Sequence, residues 1–190
     1  MTSEQKLPPD QDLLRRAGDG DSSAFGDLYE RYLEPIYRYV LYRLSSVEEA
    51  EDLTETIFLK AWENIRTKGN ADQIENVRAW LYRIAHNLAV DYHRKKRPVS
   101  MDMHEQIDLT DQSAPSAEET VQARLSDQNL QTAVKALDEQ SREIIVLRFF
   151  NGLSHAEVAG VLDLNEGHIR VLQYRALSRL KGILGEEPDD

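Results

Sequence analysis

The spacing of apolar residues constrains this chain more than any other feature. They return every three or four positions, which fits helices, and no stretch alternates in the way a half-buried strand requires. Phe25, Leu28, Tyr29, Tyr32, Leu33, Ile36, Tyr37, Val40, Leu41 and Leu44 predict one amphipathic helix, with Ser22 or Ser23 as its cap and Pro35 expected to interrupt or bend it. Asp12 to Gly18 predicts a short helix before it, ended by the Gly-Asp-Gly-Asp turn. Ser46 and Glu49 stand at capping-box spacing before a second long helix carrying Ala50, Leu53, Ile57, Phe58, Ala61, Trp62 and Ile65. After a loop at Thr67 to Gln73, a third is predicted from about Asn76 to Lys95, with Val77, Trp80, Leu81, Ile84, Ala85, Leu88 and Tyr92 inward. It ends in His93-Arg94-Lys95-Lys96-Arg97-Pro98, where cations suit a helix C-terminus and proline favours a stop.

The periodicity then lapses. Residues 98–126 hold one basic residue against six acidic ones, with Pro115 and four serines, and are expected to be a flexible acidic linker, although Glu118 to Leu125 could begin the next helix. Periodicity resumes with Leu130, Val134 and Leu137, a short connection at Asp138 to Ser141, and a helix from Arg142 to Phe150. Ser154, with Glu157 three residues on, caps a short helix bearing Val158, Ala159 and Leu162, and Asn165 caps a final one with Ile169, Leu172, Ala176, Leu177 and Leu180. The fold class expected is all-α: two small helical domains joined by a flexible acidic linker, the C-terminal one a helix-turn-helix. Residues 1–21 are a tail and short helix, 22–97 the first domain, 98–126 the linker, 127–183 the second domain and 184–190 an acidic tail. The chain has no cysteine and no run of 18 apolar residues, and its start does not read as a signal peptide. A cytoplasmic protein without membrane insertion is expected.

Ser154 to Arg175 is the strongest functional pattern, two helices around a tight turn. Ala159 is small where the helices cross, and Gly167 opens the second, whose first turn would approach a DNA groove. Arg170, Gln173, Tyr174 and Arg175 follow. Arginine pairs with guanine edges and glutamine with adenine, and both also touch phosphate. A plain packing helix is the competing reading. The net charge of -11, and seven basic against eleven acidic residues over 127–190, weigh on its side. A DNA contact here would be weak alone and work beside a second one.

Arg78 to Arg97 is the second pattern. Arg83, His86, Asn87, His93, Arg94, Lys95, Lys96 and Arg97 share a helix with Trp80, Tyr82 and Tyr92, so aromatics could stack on unpaired bases while cations follow the backbone. Trp80 is better read as core, and for the basic run a solvated charge cluster stands level with a nucleic-acid contact. Third, Asp52, Glu55, Thr56 and Leu59 recur on one face of their helix, where a protein partner could dock; from the residues alone a solvated face is the better reading. The histidines at 86, 93, 104, 155 and 168 are scattered, and neither a phosphate-binding glycine loop nor a serine elbow is present. No catalytic residue, metal site or cofactor is expected, and the chain is not read as an enzyme.

Together, in this order, these stretches resemble the extracytoplasmic-function (ECF) group of the bacterial sigma-70 family of RNA polymerase sigma factors, over roughly residues 22 to 183. Asp52-Leu53 followed by Phe58-Leu59-Lys60-Ala61-Trp62 is similar to the family's most recognisable block. The resemblance implies that this helix grips the clamp coiled coil of core RNA polymerase through Asp52, Glu55, Thr56 and Leu59. Arg78 to Arg97 resembles the helix that meets the -10 element, which assigns Arg83, Asn87, Arg94 and Lys95 to that DNA. The preceding loop, Arg66 to Asn76, would capture a flipped base. Asn151 to Ala159 and Gly167 to Ala176 resemble the helix-turn-helix that reads the -35 element, which assigns Arg148, Gly167, His168, Arg170, Gln173, Tyr174 and Arg175 there. Leu172 stands where many relatives have another arginine. The implied partners are core RNA polymerase, promoter DNA and an anti-sigma factor, and the implied role is promoter recognition with help in DNA melting. Two rival readings are a stand-alone helix-turn-helix regulator and a protein-interaction module that binds no DNA.

Overall fold

The computed structural model describes residues 8–44, 46–68, 71–96 and 129–185, and every regular element among them is helical. The expected linker at 98–126, Arg97, residues 1–7 and residues 186–190 lie outside the described residues. Contacts divide the chain into an N-terminal and a C-terminal unit.

The N-terminal unit comprises α1 (Asp10–Gly18), α2 (Ser22–Leu44), α3 (Val47–Lys68), a single 3-10 turn (Ala71–Gln73) and α4 (Val77–Lys96). The short helix α1 is built into the core: Leu13, Leu14 and Ala17 are fully buried, and α1 touches α2, α3 and α4. Burying each leucine is worth about 1.5–3 kcal/mol, enough to hold a nine-residue helix that would not survive alone in water. Asp10 at its start receives Arg31 and the Tyr32 hydroxyl from α2. The Tyr32 hydroxyl is consequently harder to ionise, through burial first and the Asp10 bond second.

Three local expectations need correcting. Asp21, rather than Ser22 or Ser23, caps α2: its Oδ1 accepts from the backbone N–H of Ser23 at 3.0 Å and Ala24 at 3.2 Å. Gly20, at φ 99°, makes the turn that lets it do so. Helix α2 also runs unbroken past Pro35, because buried Tyr32, Ile36, Tyr39 and Val40 anchor it on both sides of the lost N–H. In α4 the buried face is Val77, Leu81, Tyr82, Ala85 and Ala89, while Trp80, Ile84, Leu88 and Tyr92 are only half-buried. Small Ala85 and Ala89 let the neighbouring helices approach closely, which turns that face inward. Tyr82 is therefore no platform for a base. It packs edge-on against Tyr39, with ring centroids 5.4 Å apart, and burial pushes its hydroxyl up to about 12.

The C-terminal unit holds α5 (129–135), α6 (Glu139–Ile145) continuing as a π-helical turn (Val146–Phe150), α7 (His155–Leu162) and α8 (Glu166–Gly185). Asp138 caps α6 by accepting from Ser141 N–H, a bond that holds its carboxyl below the usual range. The run Glu143 to Leu147 is buried throughout, whereas Phe149 and Phe150, at the end of the π turn, are exposed. Gly152, at φ 62°, turns the chain into α7, and both bonds of the Ser154–Glu157 capping box are made. Asp163 closes α7 in the left-handed region, and Asn165 Oδ1 caps α8 by accepting from His168 N–H at 2.7 Å. Ile169, Ala176 and Leu180 form the inward stripe of α8. Leu172 is half-buried, and Leu177, expected inward, is exposed.

Candidate nucleic-acid and partner interfaces

Asp52, Glu55 and Leu59 are exposed on α3, and Thr56 is half-buried beside them with its hydroxyl donating to the Asp52 carbonyl. They share the i, i+3, i+4, i+7 face that the sequence predicted. What the sequence reading missed is the second wall. Phe25, Tyr29, Leu33 and Tyr37 of α2 line a groove of about 680 Å³ opposite Glu55, Phe58, Leu59 and Trp62. Phe25 meets Trp62, and Tyr29 meets Phe58, each with ring centroids 4.8 Å apart. Their strict four-residue spacing was the available signal for a second stripe, distinct from the core stripe Leu28, Tyr32 and Ile36. Thr54 is buried in the groove wall, and its hydroxyl has no hydrogen-bond partner among the described residues.

On α4, Arg83, Asn87, Arg94 and Lys95 are all exposed. Steps of four and eleven residues place Arg83, Asn87 and Arg94 on one face. Arg94 pairs with Asp91 at 3.0 Å. Much of the basic run is structural. His93 Nε2 lies 3.1 Å from the Arg43 carbonyl, so that nitrogen carries the proton and donates. Lys96 spans to Glu49 of α3 and lies over the Tyr92 ring, and the pair holds the Glu49 carboxyl below its usual range. The loop before α4 is tied to α1: Gln11 Nε2 donates to the carbonyls of Ile74 at 2.8 Å and Glu75 at 2.6 Å. Arg66, expected at the start of that loop, instead lies in the last turn of α3 and sits over the Trp62 ring.

On α8, Gly167, His168, Arg170, Tyr174 and Arg175 are exposed, Tyr174 by 74%. Gly167, Arg170 and Tyr174 fall on one face. Arg170 is engaged by Glu166 one turn earlier, an i, i+4 pair whose direction suits the helix dipole. Glu166 was not among the expected residues, although its spacing from Arg170 was visible. Arg148 and Gln173, expected as separate contacts, meet: Arg148 Nε donates to Gln173 Oε1 at 2.9 Å, and its Nη1 to the Leu153 carbonyl. His155 belongs to the same cluster. Burial and then nearby Arg148 and Arg170 disfavour its charged form, while a Gln173 hydrogen bond and Glu166 act the other way. Among the described residues, no three His, Asp or Glu side chains gather as a metal site, and no helix is long and apolar enough to cross a membrane.

Comparison with known proteins agrees with this division. Residues 28–99 match the family model for sigma-70 region 2, and residues 133–182 that for sigma-70 region 4. The chain is 40% identical over 180 residues to the ECF RNA polymerase sigma factor BldN of Streptomyces coelicolor, covering 94% of this chain and 66% of that one. It is 30% identical over 179 residues to the ECF RNA polymerase sigma factor SigW of Bacillus subtilis, covering 88% and 92%. Among solved structures it resembles CnrH in complex with the cytosolic domain of CnrY, with a TM-score of 0.69 and 26% identity over 94% of this chain and 98% of that one. It shares its fold with the sigma factor RpoE of Bartonella quintana, solved with the anti-sigma factor NepR, at a TM-score of 0.65 and 23% identity, covering 86% and 98%.

Proposed function

The chain belongs to the sigma-70 family of RNA polymerase sigma factors, in its ECF group, and from that membership we propose that it docks on core RNA polymerase through α3 and delivers two DNA-reading helices to a promoter. In this reading residues 22–97 act as region 2 and residues 127–183 as region 4. The groove beside Leu59, lined by Glu51 and Glu55 with Asp52 exposed on the same helix, takes an apolar and basic helical surface of the polymerase clamp. Arg83, Asn87, Arg94 and Lys95 of α4 meet the -10 element, and the loop ahead of α4, anchored by Gln11, receives a flipped base. Arg170, Gln173 and Tyr174 face the major groove of the -35 element, with Arg175 on phosphate.

One observation carries this reading. A single chain presents both family regions, and each has its cations exposed on a helix face that the core leaves uncovered. The protein contributes specificity and strand opening, and no catalytic step of its own. It works in the cytoplasm, where the polymerase and DNA are. A protein such as the one bound to CnrH, or the anti-sigma factor bound to RpoE, supports the further proposal of an anti-sigma partner for this chain.

The test is reconstitution. Purified chain added to core polymerase should yield promoter-specific transcripts and permanganate-reactive thymines around -10. Tight, specific binding to DNA without polymerase would favour a stand-alone regulator instead. Absence of DNA contact in any polymerase complex would favour a pure interaction module.

A further inference from the structure

We infer that Gln173 selects a guanine in the -35 element, because Arg148 holds its side-chain oxygen and leaves its amide donors to meet the DNA. This rests on the promoter-reading assignment of α8.

The assignment begins with the orientation of the amide. An arginine Nε carries a hydrogen and cannot accept, so the Gln173 atom 2.9 Å from it must be the oxygen. Chemistry thus settles a choice that the shape of the amide alone leaves open. Arg148 is itself fixed, half-buried and bonded to the Leu153 carbonyl at the turn into α7. Arg148, a fixed cationic donor, takes one of the two lone pairs of that oxygen and sets the direction of the amide.

That arrangement changes what the side chain can read. Pairing glutamine with adenine needs its oxygen to accept from the N6 amino group while its nitrogen donates to N7. Guanine offers two acceptors, N7 and O6, and asks only for donors. With its oxygen held beside the Arg148 guanidinium, Gln173 turns its amide donors to the base and matches guanine rather than the adenine that its residue type alone suggests. Arg148 is then a positioning residue, acting on DNA through Gln173.

Selection from a promoter library randomised at the -35 element, using holoenzyme reconstituted from the full chain, tests this. Wild type should enrich guanine at one position, and Gln173→Ala should lose that preference by roughly 5- to 150-fold while the other positions keep theirs. Gln173→Glu, which can only accept, should move the same position towards cytosine or adenine. Arg148→Met, checked for folding by circular dichroism, should free the oxygen and shift the same position from guanine towards adenine. An even loss across all positions for Arg148→Met would show that it merely supports the fold and would overturn the inference. If that variant does not fold, Gln173→Glu decides alone, and an unchanged guanine preference refutes the proposal. A wild-type library that enriches -35 sequences at positions indifferent to Gln173 defeats the inference but leaves promoter reading standing. A wild-type library that enriches no -35 sequence defeats both.

Discussion

The two candidate recognition faces are built by opposite means. In the N-terminal unit the face is a groove between α2 and α3, walled by aromatic rings and by the buried Thr54 hydroxyl, which has no partner among the described residues. In the C-terminal unit it is one helix whose polar tips are already occupied, Arg170 by Glu166 and Gln173 by Arg148. An apolar groove gains roughly 25 cal/mol for each Å² it buries. A paired polar tip gains only the difference between its bond to DNA and the bond it gives up. The first design suits affinity and the second suits discrimination. A protein whose DNA-reading tips are partly neutralised from within, on a chain of net charge -11, should hold promoter DNA only when the other face is docked on polymerase.

The contrast breaks most readily in the groove. Leu59 is 54% exposed on its rim, and Leu59→Arg should cost about 2–4 kcal/mol of core polymerase affinity, in the range of an interface hot spot, with the fold unchanged. Asp52→Arg lies outside the groove lining and should cost less, acting chiefly on association rate and its salt dependence. Titration of labelled chain against core polymerase measures both. Equal, small losses would mean that charge rather than the groove supplies the affinity.

On α8 the expected signature is a change in discrimination. Arg170→Ala should cost about 1–3 kcal/mol at a preferred -35 sequence and much less at a scrambled one, measured with holoenzyme at fixed salt. Arg175→Ala should weaken both sequences alike, since phosphates carry no sequence information. Glu166→Ala sharpens the comparison. With Arg170 released, affinity for scrambled DNA should rise more than affinity for the preferred site. If Glu166→Ala leaves the ratio of the two unchanged, the intrahelical pair has no part in selectivity.

The α4 face should give a smaller effect, because Arg94 is shared with Asp91 and its surroundings are solvated. Replacing Asn87 and Arg94 together with alanine should slow strand opening a few-fold, on the order of 1 kcal/mol, at unchanged -35 binding. Permanganate reactivity over time reads this directly, and opening at the wild-type rate would remove α4 from the melting step.

Periodicity was enough to read the helices themselves, because burial on one face repeats every 3.6 residues whatever the helices pack against. It was not enough to say which stripe faces which neighbour. Tyr82 and Ala89 turned inward in α4 where Trp80 and Leu88 had the same claim by spacing, since the choice is made by the close approach of α2 and α3 around small alanines. The cap chosen for α2 failed for a similar reason: Asp21 outcompetes Ser22 and Ser23 because Gly20 sets the chain direction. The α8 candidates were legible as residue types, and Glu166–Arg170 was visible as an i, i+4 pair. The Arg148–Gln173 bond joins residues 25 apart through a π turn, and no local pattern announces it.

The last and smallest effect separates a titration in the C-terminal unit from carboxylate chemistry. His155 faces Arg148, Arg170, Glu166 and Gln173, and burial with the two guanidinium groups holds its ring below the ordinary 6.5. The unfolded chain therefore binds this proton more readily than the folded one. By linkage, the unit's stability is unaffected by this group above pH 6.5 and declines as pH falls from there through the depressed folded value. The carboxylates of Asp21, Glu49 and Asp138 behave differently: their folded values are lowered from 3.8, 4.5 and 3.8, so their contributions persist until the pH drops below about that range. His155 lies near the surface, and screening there limits its share to no more than about 0.5 kcal/mol. Hydrogen exchange of α7 and α8 amides at pH 7, 6 and 5, corrected for intrinsic rates, should show protection falling across that interval in wild type and less in His155→Gln. An identical slope in both proteins would mean that the ring is too well solvated to feel the two arginines.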